Sequence, residues 1–251
     1  MIESRALRVA PPPEQGLHYL KGLRGFTLAE VLITLGIIGV VAALTMPSLI
    51  QKNRNKVLET QFKTAYSIIA RATYQMYMEN EGDLSFFNNA TFGQESSARN
   101  KYVSLVPKYY KVISKPNNSE FENIKMYTAN NFVYNYTNDF LQYASGTFIL
   151  NNGMLFSHSI SWKGTEKRDF ISVHWDTNGP YKGPNRYGYD LFIFVIGKNG
   201  RIDIEGTCEN CKNCEFKSTL NRNTTGKGCF YYALQDISPY AYKKSYWKNL
   251  P

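Results

Sequence analysis

Apolar and polar positions divide the chain into three stretches with different periods. From Phe26 to Ile50 apolar residues dominate, and Glu30 is the only formal charge. About 20 apolar residues suffice for a helix to cross the ~30 Å hydrocarbon core of a bilayer, so this stretch predicts a membrane-spanning helix. At Gln51 the chain turns polar, yet Leu58, Phe62, Ala65, Ile69, Ala72 and Met76 follow one another at alternating steps of four and three. That spacing places them on one face of a helix. Lys52, Arg54, Lys56, Glu59, Lys63 and Arg71 lie between them, as a solvated opposite side requires. The two halves together predict one long helix from Phe26 to about Glu81. Its amphipathic second half needs an apolar partner: the rest of the chain, or a second helix in a coiled-coil stalk.

Beyond residue 83 the period changes. A short helix is predicted over Ala98–Tyr110, followed by an irregular connection rich in Asn and Tyr. Two alternating runs then flank Asn151-Asn152-Gly153, residues that accept the positive φ of a hairpin turn. The run Asp169-Phe-Ile-Ser-Val-His-Trp175 predicts a further strand, and a second hairpin turns at Asn199-Gly200. The sum is an antiparallel sheet behind a long N-terminal helix, an α+β pattern.

Glu30 raises the first question of chemistry. An ionisable side chain in the bilayer costs at least ~2.5–3.5 kcal/mol on insertion scales, so it calls for a partner. A cleaved secretory signal is the first rival, with Lys21 and Arg24 before the apolar run and Ala42 and Ala43 near its end. The run is too long for it, since a signal core holds ~7–15 apolar residues, and no clean A-x-A site precedes Gln51. The basic leader, Gly25, then Phe26-Thr27-Leu28-Ala29-Glu30 and an apolar helix resemble the type IV prepilin signal. The resemblance implies cleavage between Gly25 and Phe26 by a prepilin peptidase, N-methylation of the new Phe26 amine, and use of Glu30 in fibre assembly. It makes chemical sense, because the cut creates a cationic amine at the depth of the carboxylate, and two costly charges are then buried only as a pair. Pro47 corresponds to a proline common in this helix of the family; it removes one backbone hydrogen bond and loosens the preceding turn. Gly36 and Gly39 offer close-packing surface, although spaced by three rather than by the four of GxxxG.

The implied organisation is a leader at 1–25, a transmembrane and assembly helix at 26–50, an amphipathic helix half at 51–82 and an extracytoplasmic α+β domain at 83–251. In the pilin-like fold that amphipathic half lies across the sheet. Arg5, Arg8, Lys21 and Arg24 precede the apolar run and Lys52, Arg54 and Lys56 follow it, so positive charge alone does not orient the helix. The resemblance implies an N-terminus on the cytoplasmic side of the inner membrane, with lipid around the helix before assembly. The implied partners are other pilin-like subunits and the inner-membrane assembly platform.

Two further motifs lie in the C-terminal domain. The segment from Asp176 to Asp190 is dense in Gly, Pro and Asn, which predicts a structured loop. It is similar to a segment found in prepilin-like proteins of type II secretion. Asp176, Asn178, Asn185 and Asp190 supply oxygens suited to calcium, which some major pseudopilins bind near this point. Asp-x-Asn-Gly also makes turns through side-chain-to-backbone bonds, and this reading comes first. Cys208, Cys211, Cys214 and Cys229 have a spacing open to disulfides, zinc or an iron–sulfur cluster. An extracytoplasmic position favours disulfides, with three connectivities open.

The chain carries a formal charge of +9, and removing the leader, with four basic and two acidic residues, leaves +7. A basic, Tyr-rich surface suits DNA, but no Lys/Arg run or nucleic-acid motif accompanies it, so a DNA partner is not expected. No nucleophile elbow, phosphate loop or H-E-x-x-H motif appears, and His158 and His174 fall within predicted strands, so no enzymatic activity is expected. The expectation is a structural subunit of a type II secretion pseudopilus, with no cofactor other than the calcium considered above. A minor type IV pilin for DNA uptake or adhesion is the alternative.

Overall fold

The computed structural model describes residues 25–84, 95–136, 146–159, 170–202, 214–217, 219, 226–241 and 243–250, without the side chains of 95–99, 118, 159, 170 and 171. The first helix, α1, runs Leu28–Glu79 with Pro47 inside it. It ends where Glu81 and Gly82 take positive φ and the Gly82 N–H donates to the Tyr77 carbonyl at 3.0 Å. The chain falls into two compact units, Met1–Leu49 and Ile50–Pro251. In the first, Leu32, Ile33, Ile38 and Leu44 are exposed around the helix. It is the one helix among the described residues long and apolar enough to cross a membrane.

In the second unit the six-residue stripe from Leu58 to Met76 is buried. The helix half packs on the sheet, as the family resemblance implies. Phe62 lies at the centre, its ring 4.6 Å from that of Phe192 and 5.4 Å from that of Trp247. Helix α2, Glu95–Tyr109, follows, and Lys108 and Tyr109 bond to Glu79 at the end of α1.

The strands are β1 (Val112–Ser114), β2 (Lys125–Tyr127), β3 (Val133–Asn135), β4 (Thr147–Leu150), β5 (Leu155–Ser159), β6 (Phe170–Asp176) and β7 (Leu191–Gly197). They form an antiparallel sheet in the order β1-β4-β5-β6-β7 and a separate antiparallel pair β2-β3. The α+β, pilin-like order of elements is therefore present. The connection expected to be irregular contains β1, β2 and β3, and β1 joins the main sheet at the edge beside β4. Each has three residues, too few for an alternating pattern to register. Past the turn at Asn199-Gly200 the return strand amounts to a single bridge, Ile196 to Ile202, among the described residues.

Alternation along the strands separates two cores. Phe156, Val173, Trp175, Phe192 and Phe194 join the helix-side cluster. Leu155 and Leu191 join Phe121, Met126, Tyr136 and Tyr187 in a second cluster. The β2-β3 layer is tied to the 176–190 loop there by Tyr127 N–H to the Asn185 carbonyl, 2.7 Å, and Tyr187 N–H to the Tyr127 carbonyl, 2.9 Å. Helix α3, Cys229–Gln235, packs on β7, and Trp247 closes the same side by donating from its indole to the Ala233 carbonyl at 3.0 Å.

Candidate functional site

Two places carry chemistry. At the start of α1, Gly25 is exposed, with nothing among the described residues within 4 Å of where a Cβ would stand, and Phe26 is 86% exposed. Thr27 and Glu30 form a reciprocal cap. The Thr27 N–H and hydroxyl donate to Glu30 Oε2 at 2.8 and 2.9 Å, and the Glu30 N–H donates to Thr27 Oγ1 at 3.2 Å. This is a capping box, which satisfies helix donors that have no partner within the helix. Its signal, Thr followed three residues later by Glu before an apolar run, is present in the sequence but stands behind the larger question of charge. Pro47 lacks the N–H that the Ala43 carbonyl would accept, and nearby the Thr45 hydroxyl donates to the Val41 carbonyl at 2.9 Å. Gly36 and Gly39 are equally open, with nothing within 4 Å of where a Cβ would stand.

The second place is the 176–190 loop, where Asp176, Asn178, Asn185 and Asp190 are all buried. Asp176 Oδ1 accepts from the N–H groups of Asn178 (3.2 Å) and Gly179 (2.8 Å), and its Oδ2 accepts from the Tyr136 hydroxyl (2.9 Å). Asp190 Oδ2 accepts from the Asn185 N–H (2.8 Å) and its Oδ1 from the Arg186 N–H (2.7 Å). The Asn178 amide donates to the Gly183 carbonyl at 3.0 Å, and that of Asn185 to the Pro180 carbonyl at 2.8 Å. Apart from the Tyr136 bond, these are turn bonds between a side chain and the backbone of its own loop. Gly179, at φ +87°, must be glycine, because a Cβ there would stand 2.3 Å from the Gly153 carbonyl oxygen. The loop does bring the four residues singled out for calcium together. Among the described residues no group of three or more His, Cys, Asp or Glu is arranged to hold a metal.

Electrostatics in the loop are unusual. Burial, and then the charge of Asp190, push the Asp176 carboxyl up to about 8. Burial pushes Asp190 up to about 6, opposed by the backbone N–H groups of Arg186 and Asn185. The Arg186 guanidinium is turned elsewhere, donating to the Ala129 carbonyl and lying 4.4 Å over the Tyr189 ring. No charge and hydrogen-bond pattern in the sequence forecasts this convergence, because Tyr136 is 40 residues from Asp176.

Cys214 and Cys229 form a disulfide, both buried. Cys208 and Cys211 lie outside the described residues. His158 and His174 are buried on β5 and β6.

Comparison with known families finds the prokaryotic N-terminal methylation motif at residues 21–46, which takes in Gly25, Phe26, Thr27 and Glu30. No curated protein and no solved structure matches the chain.

Proposed function

We propose that this chain, a membrane-anchored type IV pilin-like prepilin by its methylation motif and the apolar helix α1, serves as a structural subunit of a type II secretion pseudopilus. The observation that carries the reading is the junction of an accessible Gly25-Phe26 bond with an exposed apolar helix that begins at a carboxylate. A peptidase cuts after Gly25 and methylates the Phe26 amine, which keeps its positive charge. Before assembly the helix lies in lipid with its N-terminus on the cytoplasmic side and the C-terminal domain outside. In the fibre, Glu30 meets the Phe26 amine of a neighbouring subunit, so both charges leave lipid paired. Pro47, further along α1, removes one backbone hydrogen bond and loosens the turn before it.

Co-expression with a prepilin peptidase tests the processing step. Mass spectrometry is expected to find a mature chain starting at N-methylated Phe26; an uncut leader with an active peptidase, or a terminus after Ala43, overturns it. A minor type IV pilin is the second reading, favoured by the mature charge of +7. Deleting the coding sequence separates the two: loss of secreted enzymes with intact DNA uptake and adhesion supports the pseudopilus, and the reverse supports the pilin.

A further inference from the structure

The C-terminal part of the second unit holds a small cavity that neither α1 nor the 176–190 loop lines. Its volume is about 170 Å³, and its walls include Phe216, Lys217, Tyr240, Lys244, Tyr246 and Leu250. Covalent and hydrogen bonds fix those walls. The Cys214–Cys229 disulfide ties the segment before Phe216 to the start of α3. The Lys217 N–H donates to the Tyr240 hydroxyl at 3.1 Å, which joins that segment to the turn after α3. The turn is braced in its own right. The Ser238 N–H donates to the Lys244 carbonyl at 2.8 Å, and Asp236 Oδ1 accepts from the Ser245 hydroxyl at 2.7 Å and from the Trp247 N–H at 3.2 Å. The Tyr246 hydroxyl donates to the Gly188 carbonyl at 2.6 Å. The Phe216 ring stands 6.4 Å from that of Tyr240 and 6.1 Å from that of Tyr246, so three aromatic rings border the space together. A cavity held in this way is formed before any ligand arrives, and binding then costs little ordering.

Charge and size narrow what fits. Among the described residues the lining holds two lysines and no acidic residue. The Lys217 ammonium lies 5.4 Å from the centre of the Tyr240 ring, which places its charge at the cavity wall. Both lysines are exposed, and the two ion pairs among the described residues, Lys63–Glu59 and Lys108–Glu79, involve neither. Asp236, the acid within the same turn, is committed to Ser245 and Trp247. An entering carboxylate therefore meets attraction and an entering cation repulsion. Sites that enclose a drug-sized ligand measure ~300–1,000 Å³, so this one takes a group of side-chain size. Tyr240 is 47% exposed, and its ring offers a flat apolar face beside the ammonium.

We propose that this cavity binds a small carboxylate carried on an aromatic or other flat apolar body, with the carboxylate on Lys217 and Lys244 and the body against Phe216 and Tyr240. A free aromatic acid and the C-terminal carboxylate of a peptide share that chemistry. The site lies wholly in the second unit and is independent of the kind of fibre the subunit builds.

The test ligand is para-fluorophenylacetate, titrated into the full-length chain in detergent and followed by fluorine NMR. Its amide is the uncharged counterpart, and each titration is corrected by one into empty micelles. A single saturable site is expected, with a Kd in the millimolar range or tighter. The amide is expected to bind at least about tenfold more weakly, because hydrogen bonds between charged partners are lost. Lys217→Met and Lys244→Met keep the apolar stem. Each is expected to raise the Kd about tenfold and to leave the unliganded melting temperature unchanged, because both side chains are exposed. Lys125→Met removes an exposed lysine of β2 that does not line the cavity, and is expected to leave the Kd as it is. Equal binding of acid and amide, an equal loss in Lys125→Met, or no saturable binding overturns the proposal. Should a variant at Lys217 or Lys244 lose its unliganded melting transition, the contrast between acid and amide in wild type decides. A second arm uses an N-acetylated peptide that ends in phenylalanine with a free carboxylate. Tighter binding than para-fluorophenylacetate assigns the site to a protein chain end, and weaker binding assigns it to a free acid.

Discussion

Glu30 makes a local bond and is proposed to make a distant one, and two substitutions at this residue tell them apart. Within the chain it caps α1 through Thr27; in the fibre it is proposed to neutralise a neighbour's amine. Glutamine at the third helical position serves a capping box as well as glutamate does, so Glu30→Gln keeps the cap and removes the charge. Glu30→Val removes both and spares at least ~2.5 kcal/mol of insertion cost. Both variants are expected to be cleaved and to reach the membrane, because Gly25 and the scissile bond are untouched, and both are expected to be lost from sheared fibres. Recovery of Glu30→Gln at wild-type levels would show that the cap, not the charge, is what assembly needs. At Gly25, alanine is expected to slow cleavage and larger side chains to block it, read as the ratio of precursor to mature chain, since the peptidase loses its bare backbone.

Among the elements, the disulfide and the buried helix face set the stability of the second unit. Cys214 and Cys229 are 15 residues apart, and closing a loop of that length is worth about 3 kcal/mol in the chain-entropy account. For a domain of ~150–250 residues each 1 kcal/mol moves the melting temperature by roughly 2–4 °C, so reductant is expected to lower it by several degrees, with chelator alone having no effect. Peptide mapping is expected to recover Cys214 joined to Cys229. A peptide joining Cys208 or Cys211 to Cys229 contradicts that pairing. On α1, Phe62 touches aromatic rings from β7, α3 and the C-terminal turn. Phe62→Ala is therefore expected to cost about 3–5 kcal/mol, measurable by denaturant unfolding.

For the whole molecule, the two compact units predict separable behaviour. A chain starting at Ile50 retains the buried stripe of α1, both cores and the disulfide, and sheds the exposed apolar helix. It is expected to be soluble without detergent, to melt cooperatively and to elute as a monomer. Aggregation or non-cooperative melting would mean that residues before Ile50 contribute to folding as well as to anchoring.

The parts legible in the sequence are those whose period or motif is local. Leu58 to Met76 mark the buried helix face because a helix repeats every 3.6 residues whatever it packs on, and the prepilin signal sits in consecutive residues from Lys21. The hairpin at Asn151-Asn152-Gly153 is legible for the same reason, since its turn chemistry lies in the turn itself. Nothing local marks β1, β2 and β3: three residues carry no period, and they are strands because β4, or one another, supply the missing hydrogen bonds. The choice of Cys214 and Cys229 among three connectivities is likewise tertiary, because it depends on which sulfurs the fold brings into contact. So is the acidic loop. The sequence names Asp176 and Asp190 as turn residues, but only the tertiary fold buries both and sets the Tyr136 hydroxyl, 40 residues away, against one oxygen of Asp176.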